Sequence, residues 1–408
     1  MEGKAARFTT AHRDLALLIV LSLNFGAAFL SRNAVGLVGP YIQHGLALNH
    51  TQLGALSAAL GLAWAVVGYF GTAIIGNRMD ARVALALLSV LNALSLFWSA
   101  LATSFWSMMA SRVVAGAAAG PVMPRSQALI ALRSAPENRG RRMGLMQAFG
   151  GSLLGAILAP ILLIPIANAW GWRLSFGVAG AGCVATALLL WGSRQAFASV
   201  ATENRAADVA VANTVSTGSV RNLLLCCIVS ASMVSWLVIT TTFVPTFLVG
   251  ALGWTAYRMG IAMSGFGVTS MLSAILVPLM SDRIGRRPAV VMCASVGGLA
   301  ALGICMAGGD DFASIATVMT VGIAGGTFPL FMAAIPAECA PVGRVAAWIA
   351  LVQGVGEIVG GVVAPVLAGL AADRFGSRAA ISMAAACVCA GTLASLFLLE
   401  TNPRGRRA

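Results

Sequence analysis

The sequence predicts an all-α integral membrane protein with twelve transmembrane helices arranged in two six-helix halves. Its 408 residues are 59% hydrophobic and only 10% charged, whereas soluble domains carry about 25% charged residues. Apolar segments of about 20 residues or more, long enough to cross a bilayer, follow one another along the chain. The second half also repeats residues of the first half at a constant shift of 205 positions. These three observations exclude a soluble protein.

Hydropathy divides the chain into two sets of six helices on either side of a polar segment at 194–221. The predicted helices are 15–41, 53–75, 84–103, 106–132, 143–167, 174–193, 222–249, 257–280, 288–307, 312–336, 345–371 and 379–399. The polar segment contains Glu203 and Asp208 among small residues, so it does not span the membrane and serves as a linker. The predicted domains are a first half at 1–193, the linker at 194–221 and a second half at 222–408.

A charged turn interrupts the apolar sequence once in each half, at 76–82 and at 281–287. Arg78 in the first turn is placed opposite Arg283 in the second. The same shift of 205 positions aligns further prolines, glycines and arginines, including the pairs Pro124/Pro329, Arg139/Arg344, Gly155/Gly360, Pro160/Pro365 and Gly171/Gly376. Ala-rich helices match one another by chance, but chance does not align Pro, Gly and Arg at one fixed shift. We therefore predict an internal duplication.

The net charge of +13 has two alternative explanations. A nucleic-acid-binding protein would carry it on a soluble basic face, which a chain of apolar segments does not offer. A membrane protein instead concentrates Lys and Arg in its cytoplasmic loops. When both termini are placed in the cytoplasm, only four loop arginines fall on the other side, namely Arg173, Arg258, Arg374 and Arg378. We predict a multi-pass protein of a cell membrane, the inner membrane in a bacterium, with cytoplasmic N- and C-termini.

Several kinds of chemistry have no support in the sequence. The eight cysteines form neither a CxxC motif nor a Cys/His cluster, so neither a metal site nor a disulfide framework is predicted. A GxxxxGK[ST] phosphate-binding loop is missing, which argues against ATP as the energy source. We expect a protein that is not an enzyme, carries no cofactor and does not bind nucleic acid.

Two motifs carry a family resemblance. The pattern D-R-x-G-R-R is matched in full by Asp282, Arg283, Gly285, Arg286 and Arg287, and the pattern R-x-x-x-G by Arg112 and Gly116. Together with twelve spans and a duplication of six helices, these motifs resemble the major facilitator superfamily over nearly the whole chain. The resemblance implies a transporter that works by alternating access, with the first, fourth, seventh and tenth helices lining a central cavity.

Other segments resemble the anion:cation symporter branch of that superfamily, which moves sugar acids and other organic anions. They are Ser31-Arg32, the stretch 112–124, Glu137 through Arg141, and Gly171-Trp172-Arg173. The chain departs from the branch at two acids, because Ser31 stands where the branch often has Asp and Ala119 where it has Glu. Those carboxylates are associated with proton coupling in the branch, so the branch's coupling mechanism does not carry over.

Two arginines inside predicted helices are candidate substrate ligands. A charge within a span costs about 2.5–3.5 kcal/mol on insertion scales and is retained mainly where it faces a cavity or a partner. Arg32 lies in the first helix and Arg112 in the fourth. A guanidinium binds a carboxylate through two parallel hydrogen bonds, so two arginines suit an organic anion. The alternative, strongest for Arg112, is a structural arginine that bonds to neighbouring carbonyls.

The seventh helix offers further candidates across the predicted cavity. Trp236 would supply an aromatic wall and Thr240 a hydroxyl donor for the substrate. Thr240 begins a run of three threonines, Thr240 to Thr242. The alternative role for these residues is a hydroxyl that hydrogen-bonds the backbone of its own helix.

Glu357 is the acid that lies deepest within a predicted helix. Desolvation favours the neutral form of a carboxyl, which suits a residue that carries a proton across the membrane. The position 205 residues earlier is Ser152, so the candidate belongs to the second half alone. The alternative is a protonated carboxyl that hydrogen-bonds a neighbouring helix and has no part in transport.

The charged turns are the candidate conformational gate. In this role Asp282 faces the positive end of a nearby helix or pairs with Arg286, and it holds the cytoplasmic side shut in one state. The predicted gate also includes Arg283, Gly285, Arg287 and Arg78. The alternative is that these arginines only set the topology.

The predicted function is import of a small organic anion, such as a carboxylate, sugar acid or aromatic acid, by alternating access, with proton symport favoured. An exporter or anion exchanger of the same fold is an alternative, because both acids of the branch are missing. A second alternative is a transporter-like sensor that binds its ligand without turnover. The expected partners are the anion, a proton and membrane lipid, and the protein is expected to be a monomer.

Overall fold

The computed structural model describes residues 2–68, 79–133, 142–197, 220–306, 312–341 and 344–401. We number the membrane-crossing helices as spans in chain order. In the first half, span 1 is Glu2–Leu37 and continues as Gly39–Leu46, span 2 is His50–Val66, span 3 is Ala81–Ala100, span 4 is Phe105–Ala119 with Val122–Arg133, span 5 is Gln147–Leu158 with Ala159–Trp170, and span 6 is Trp172–Gly192.

The second half repeats this order. Span 7 is Val220–Gly250, span 8 is Ala256–Ile284, span 9 is Arg286–Met306, span 10 is Phe312–Val321 with Gly322–Thr327, Leu330–Ala334 and Ile335–Cys339, span 11 is Val345–Gly356 with Glu357–Val363 and Ala364–Phe375, and span 12 is Ser377–Ser395. A short helix, Arg194–Phe197, follows span 6. Most of the predicted linker lies outside the described residues, and the proposed domain boundaries stay a prediction.

The described helices confirm an all-α membrane fold and are consistent with twelve spans. Ten of them are long and apolar enough to cross a bilayer. The other two predicted spans correspond to span 2, whose described part ends at residue 68, and to span 4, which is divided at Gly120-Pro121. Proline lacks the N–H group that continues a helical hydrogen-bond ladder, and this accounts for the division of span 4.

Local signals in the sequence determine several helix ends. The Asn49 side chain accepts a hydrogen bond from the Gln52 N–H at 2.7 Å, and the Gln52 side chain accepts from the Asn49 N–H at 3.0 Å. This reciprocal capping box begins span 2. Spans 5 and 11 both end at a glycine with positive φ, +91° at Gly171 and +86° at Gly376. These two glycines are 205 residues apart, so the repeat found in the sequence extends to backbone conformation.

Spans 5 and 11 also share an irregular section. Residues Gln147–Leu158 and Glu357–Val363 are π-helical, with one more residue in each hydrogen-bonded turn than an α-helix. Such sections are rare in proteins and are frequent at functional sites. The π-helical section of span 11 begins at Glu357, which directs attention to that residue.

Equivalent helices pack together in the two halves. Spans 1 and 5, 2 and 4, and 3 and 6 pair in the first half, and spans 7 and 11, 8 and 10, and 9 and 12 pair in the second. The halves meet where span 2 packs on span 11 and span 5 packs on span 8. These two contacts are equivalent under the shift of 205 residues, so the interface has the approximate two-fold symmetry that a duplication produces.

Glycines allow the halves to approach closely along spans 2 and 11. A Cβ atom added at Gly61 would lie 2.5 Å from the carbonyl oxygen of Gly361, and one at Gly369 would lie 2.5 Å from that of His50. A larger residue at either position would force the helices apart. Close backbone contact through small residues is a general way to pack membrane helices.

Candidate functional site

The central feature of the site is an ion pair that joins the two halves. Arg32 of span 1 donates to Glu357 of span 11 through both terminal nitrogens, at 2.9 Å from Nη2 to Oε2 and 3.2 Å from Nη1 to Oε1. The two side chains are 14% and 18% exposed. This two-point geometry is the one in which arginine binds carboxylates most strongly. Neither side chain of the pair is completely buried.

Trp64 of span 2 lies against the same guanidinium. The central carbon of Arg32 is 5.0 Å from the centroid of the buried Trp64 ring, a distance at which a cation is attracted to the electron-rich ring face. Gly361 lies beside the carboxylate, because a Cβ there would come within 2.7 Å of the Glu357 Oε2 atom. The site is thus formed by three spans, two from the first half and one from the second.

The ion pair lies deep in the membrane. Trp64 is fourteen residues beyond His50, the first residue of span 2, which places it about 21 Å from that end at a rise of 1.5 Å per residue. The hydrocarbon core is about 30 Å thick. At this depth an isolated charge is strongly disfavoured, and Arg32 and Glu357 each supply the other with a partner of opposite charge.

Arg112 has different surroundings. It is fully buried, donates to the carbonyl of Ser31 at 3.4 Å and to the hydroxyl of Ser99, and lies 5.2 Å over the ring of Phe176. These partners belong to spans 1, 3 and 6 of the same half. The structure does not bring Arg112 beside Arg32, although its bond to Ser31 reaches the residue next to Arg32 in the chain.

Ser31 and Arg32 point to different sides of span 1. The Ser31 hydroxyl donates to Asn92 of span 3 at 2.9 Å, while Arg32 reaches across to span 11. Position 31 is therefore part of a buried polar network inside the first half. This network includes further bonds from Asn24 to Ser89 and from Asn92 to Cys183.

The candidates on span 7 are buried. Trp236 is 0% and Thr240 3% exposed, and the Trp236 ring packs on Phe266 with the centroids 6.2 Å apart. Trp236 is equivalent to Ser31 under the shift of 205 residues, so an indole occupies the place that a hydroxyl has in the first half. The neighbouring Thr241 donates to the Leu237 carbonyl of its own helix at 2.9 Å, the alternative that the sequence left open for this run.

The turn between spans 8 and 9 is organised around Arg286. Its guanidinium binds Asp282 at 2.6 Å and Glu338 of span 10 at 3.0 Å. The carboxylate of Glu400 accepts from the backbone N–H groups of Arg286 and Arg287 at 2.8 and 3.0 Å, and it caps the start of span 9. Asp282 does pair with Arg286, and its acidic neighbours Glu338 and Glu400 belong to the same half.

Glycine is required within this turn. Gly285 has a φ of +104°, a conformation that side-chain-bearing residues rarely adopt, and a Cβ there would lie 2.6 Å from Glu400 Oε2. Arg283 and Arg287 are exposed. Arg78 lies outside the described residues, so the first turn's part in the predicted gate is not described.

A second charged contact joins the halves at the end of the bundle farthest from the 281–287 turn, which we call the far end. The carboxylate of Asp373, near the end of span 11, accepts from the backbone N–H groups of His50 and Thr51 at 2.8 Å each. It also lies 3.0 Å from the His50 ring Nδ1 and 2.5 Å from the Thr51 hydroxyl. Helix N-termini bind anions, so Asp373 binds the start of span 2 in the first half to the end of span 11 in the second half.

Further contacts between the halves continue from the far end towards the ion pair. The Ser57 and Thr242 hydroxyls are 3.2 Å apart, and Gly54 lies against the carbonyl of Pro365. With Asp373 at one limit and Arg32–Glu357 at the other, these contacts hold spans 1 and 2 against spans 7 and 11 from the far end to the depth of the ion pair.

The sequence alone did not single out Trp64, Asp373, Glu338 or Glu400. Trp64 is one of nine tryptophans in an apolar chain, and nothing local distinguishes it. The three acids follow the predicted ends of helices, where acidic residues are common. Their position at helix ends was the available signal, but it does not show which helix each acid contacts.

Comparison with known proteins places the chain in one family. The family model described as Major Facilitator Superfamily matches residues 21–361 and, in a second match, residues 224–408. The two matches overlap and together cover nearly the whole chain.

Curated relatives match over shorter segments. The hexuronate transporter of Bacillus subtilis (strain 168) is 28% identical over 162 residues, which are 40% of this chain and 38% of that protein. The quinolone resistance protein NorA of Staphylococcus aureus (strain Mu50 / ATCC 700699) is 32% identical over 143 residues, or 35% of this chain and 36% of that protein. The alignments thus span little more than a third of these relatives.

Solved structures match over nearly the full chain at low sequence identity. The nucleoside transporter NupG has a TM-score of 0.72 at 16% identity and covers 95% of this chain and 98% of its own. The xylose transporter XylE from E. coli, in an inward open conformation, has a TM-score of 0.72 at 14% identity and covers 96% and 98%. A bacterial homologue of the human lysosomal transporter Spinster, inward-facing and unoccupied, has a TM-score of 0.71 at 14% identity and covers 96% and 95%. At such low identity these likenesses establish a common fold.

Proposed function

The chain belongs to the Major Facilitator Superfamily, a family of membrane transporters rather than enzymes, and we propose that it imports a small organic anion by proton symport. The ion pair between Arg32 and Glu357 is the observation that carries this proposal. The match to a hexuronate transporter supports the substrate class, because a hexuronate is a sugar acid with one carboxylate. The superfamily and its fold agree with the prediction from the charged-turn motif.

Substrate binding and proton binding are linked because the Arg32 guanidinium exchanges the Glu357 carboxylate for the carboxylate of the substrate. The guanidinium holds the Glu357 carboxylate through two hydrogen bonds, and a substrate carboxylate offers the same two acceptors. Glu357 must leave when the substrate takes its place. An unpaired carboxylate at this depth is strongly disfavoured, so Glu357 leaves far more readily when it has bound a proton. Substrate binding and proton binding therefore favour each other.

The location of the pair between the halves connects this exchange to alternating access. Opening the far end separates span 2 from span 11, and hence Arg32 and Trp64 from Glu357. A substrate that replaces Glu357 on Arg32 satisfies the guanidinium from one half alone. The interface is then free to open with both charges neutralised, which is the condition for a transport step.

We propose that the structure is an inward-facing state. With the termini in the cytoplasm, as the distribution of Lys and Arg indicates, the far end is the outer end. Asp373, His50 and Thr51 close that end, and two structural neighbours are inward-facing by their descriptions. Within this proposal, the Asp282–Arg286 pair belongs to a gate at the cytoplasmic end, and Arg112 has the structural role that the sequence left open.

The experiment is uptake of labelled glucuronate into proteoliposomes that contain the purified protein. We expect accumulation when the outside is acidified, no accumulation without a gradient, and inhibition by other carboxylates but not by the matching neutral sugar. Arg32→Ala is the matched variant and is expected to remove glucuronate uptake. Glucuronate accumulation that does not depend on the pH gradient would contradict proton symport.

Export is the alternative supported by a specific observation. The match to a quinolone resistance protein covers a segment of similar length to the hexuronate match, and both acids of the symporter branch are missing. Export by proton antiport predicts the opposite response to the gradient: acidifying the outside of the vesicles drives loss of preloaded substrate, and quinolones compete with glucuronate. The same vesicles test both directions.

A further inference from the structure

The charge balance at the ion pair determines what the carrier transports per cycle. Arg32 and Glu357 are brought together deep in the membrane, and the other Asp, Glu, His, Lys and Arg residues in the described parts of spans 1, 2, 7 and 11 lie at or beyond the ends of the membrane-crossing segments. Those residues are Glu2, Lys4, Arg7, His12, Arg13, Asp14, His44, His50, Arg221, Asp373 and Arg374. Arg112 and Arg125 of span 4 are buried, and their charge is the same in the empty and in the loaded site.

The empty site is neutral as a unit. One guanidinium and one carboxylate lie 2.9 Å apart, so their charges cancel. Because the two charges sum to zero whether or not the side chains stay in contact, reorientation of the empty transporter moves no net charge through the membrane. Neither partner can be lost alone without leaving a charge at a depth where charges are strongly disfavoured.

The loaded site is neutral for one combination of ligands. If a monoanion binds Arg32 and Glu357 carries one proton, the guanidinium is paired and the carboxyl is neutral. A monoanion without the proton leaves one negative charge, and so does a dianion with one proton. The proton without the anion leaves one positive charge on Arg32. Only one monoanion with one proton reproduces the neutrality of the empty site.

We infer that this transporter is electroneutral, carrying one monoanion with one proton per cycle, and that it selects monoanions over dianions. This inference rests on the proposed function and goes beyond it in naming the stoichiometry and the charge of the substrate. Since neither the empty nor the loaded site moves net charge, the membrane potential drives neither reorientation. The pH gradient and the substrate gradient are then the only driving forces.

The experiment separates the two components of the proton-motive force. Proteoliposomes with potassium and valinomycin set the membrane potential, and buffers set the pH gradient independently. Labelled glucuronate is the monoanion probe, because its hydroxyl groups keep the undissociated acid from crossing the bilayer unaided, and labelled succinate above pH 7 is the dianion probe. A pH difference of one unit should give about tenfold accumulation of a monoanion, because one proton per anion equates the two ratios.

The membrane potential distinguishes this inference from the proposed function. An inside-negative potential of about 100 mV should leave monoanion accumulation unchanged, whereas one uncompensated proton charge per cycle would raise it about fifty-fold. Accumulation driven by the pH gradient and also raised by the potential would overturn electroneutrality and leave proton symport intact. If glucuronate accumulation does not respond to the pH gradient, the proposed function fails, and this inference fails with it. Transport of succinate dianion as fast as glucuronate would overturn the charge selection.

Glu357→Gln gives a second, independent measurement. Without the carboxylate, the empty site keeps the charge of Arg32 and the site loaded with a monoanion is neutral. Exchange of internal for external glucuronate uses only the loaded form, so it should continue and should be insensitive to the potential. Continued exchange also shows that the variant is folded. Exchange that becomes dependent on the potential would contradict the charge assignment.

Discussion

Arg32 and Arg112 lie in the same half of the protein and are both enclosed by membrane helices, yet their partners differ. Arg32 pairs with a carboxylate from the other half and is 14% exposed, whereas Arg112 is fully buried among hydroxyl, carbonyl and aromatic partners of its own half. A bond between the halves must break when the halves move. A bond within one half can persist through the whole cycle.

The same distinction separates the acidic residues. Glu357 and Asp373 bind partners in the first half, while Glu338 and Glu400 bind the turn of their own half. We therefore expect substitutions at contacts between the halves to change transport and its coupling. Substitutions at contacts within a half should mainly change the stability of the folded protein.

The largest expected effect is loss of coupling in Glu357→Gln. The amide imitates the protonated carboxyl, so pH-driven accumulation of substrate should disappear while exchange of substrate continues. Asp14→Asn is the matched control, because it removes a carboxylate whose partners Arg133 and Arg142 lie in the same half. The control should be less stable and still accumulate substrate on a pH gradient. Accumulation by Glu357→Gln vesicles would show that Glu357 is structural.

The second effect is loss of substrate affinity in Arg32→Lys. Lysine keeps the charge but cannot form the two parallel bonds of a guanidinium. Loss of a hydrogen bond to a charged group costs about 1.5–3 kcal/mol, so the apparent affinity should fall by about one to two orders of magnitude. Competition by unlabelled glucuronate during exchange measures it. Normal affinity in both Arg32→Lys and Arg32→Ala would place the binding site elsewhere.

Asp373→Asn should shift the balance between the two orientations of the transporter. The amide keeps an acceptor for the start of span 2 but loses the charge that interacts with the helix N-terminus, a contribution of about 0.3–1 kcal/mol. We expect the outward-open state to become about two- to fivefold more populated, with little change in substrate affinity. Labelling of Ser57→Cys by an impermeant maleimide from outside reports this shift, because Ser57 lies against Thr242 in the closed state.

Asp80→Asn is the matched control for this substitution. Asp80 also caps the start of a helix, accepting from Arg82 N–H at 2.8 Å and Val83 N–H at 3.3 Å, but that helix lies in its own half. Labelling of Ser57→Cys should be unchanged by Asp80→Asn. Equal shifts in both variants would show that capping strength, and not the location between the halves, determines the effect.

The sequence predicted the membrane fold and its repeat well, because these depend on local patterns. Apolar length, the spacing of Pro and Gly, and the D-R-x-G-R-R motif are all visible along one chain. It also identified Arg32 and Glu357 as unusual, since a charge inside an apolar helix stands out on its own. It did not show that the two are partners, because they are separated by 325 residues and their meeting depends on how spans 1 and 11 rotate.

The orientation of each helix about its own axis also explains what the sequence left undecided about Arg112, Trp236 and Thr240. All three lie on helices that line the cavity in this family, but one helix presents some residues to the cavity and others to its neighbours. In span 1 this division falls between Ser31 and Arg32, which contact different spans. In these Ala-rich helices the apolar pattern is too uniform to show which face is which.

We expect the smallest effect on transport from Arg112→Lys. This is the same substitution as Arg32→Lys, made at the other buried arginine. Lysine cannot reach both the Ser31 carbonyl and the Ser99 hydroxyl, and it leaves a buried charge with fewer partners. We expect unfolding to require about 1.5–3 kcal/mol less free energy, seen as a lower midpoint in a thermal-unfolding assay of the purified protein. Transport by the molecules that remain folded should keep its substrate affinity within about twofold, because the partners of Arg112 are retained in both orientations. Arg32→Lys should show the reverse pattern, with weakened affinity and a midpoint close to that of the unmodified protein. If Arg112→Lys instead lowers affinity as much as Arg32→Lys does at an unchanged midpoint, both arginines contact the substrate, and the separation between contacts across and within the halves does not hold for this pair.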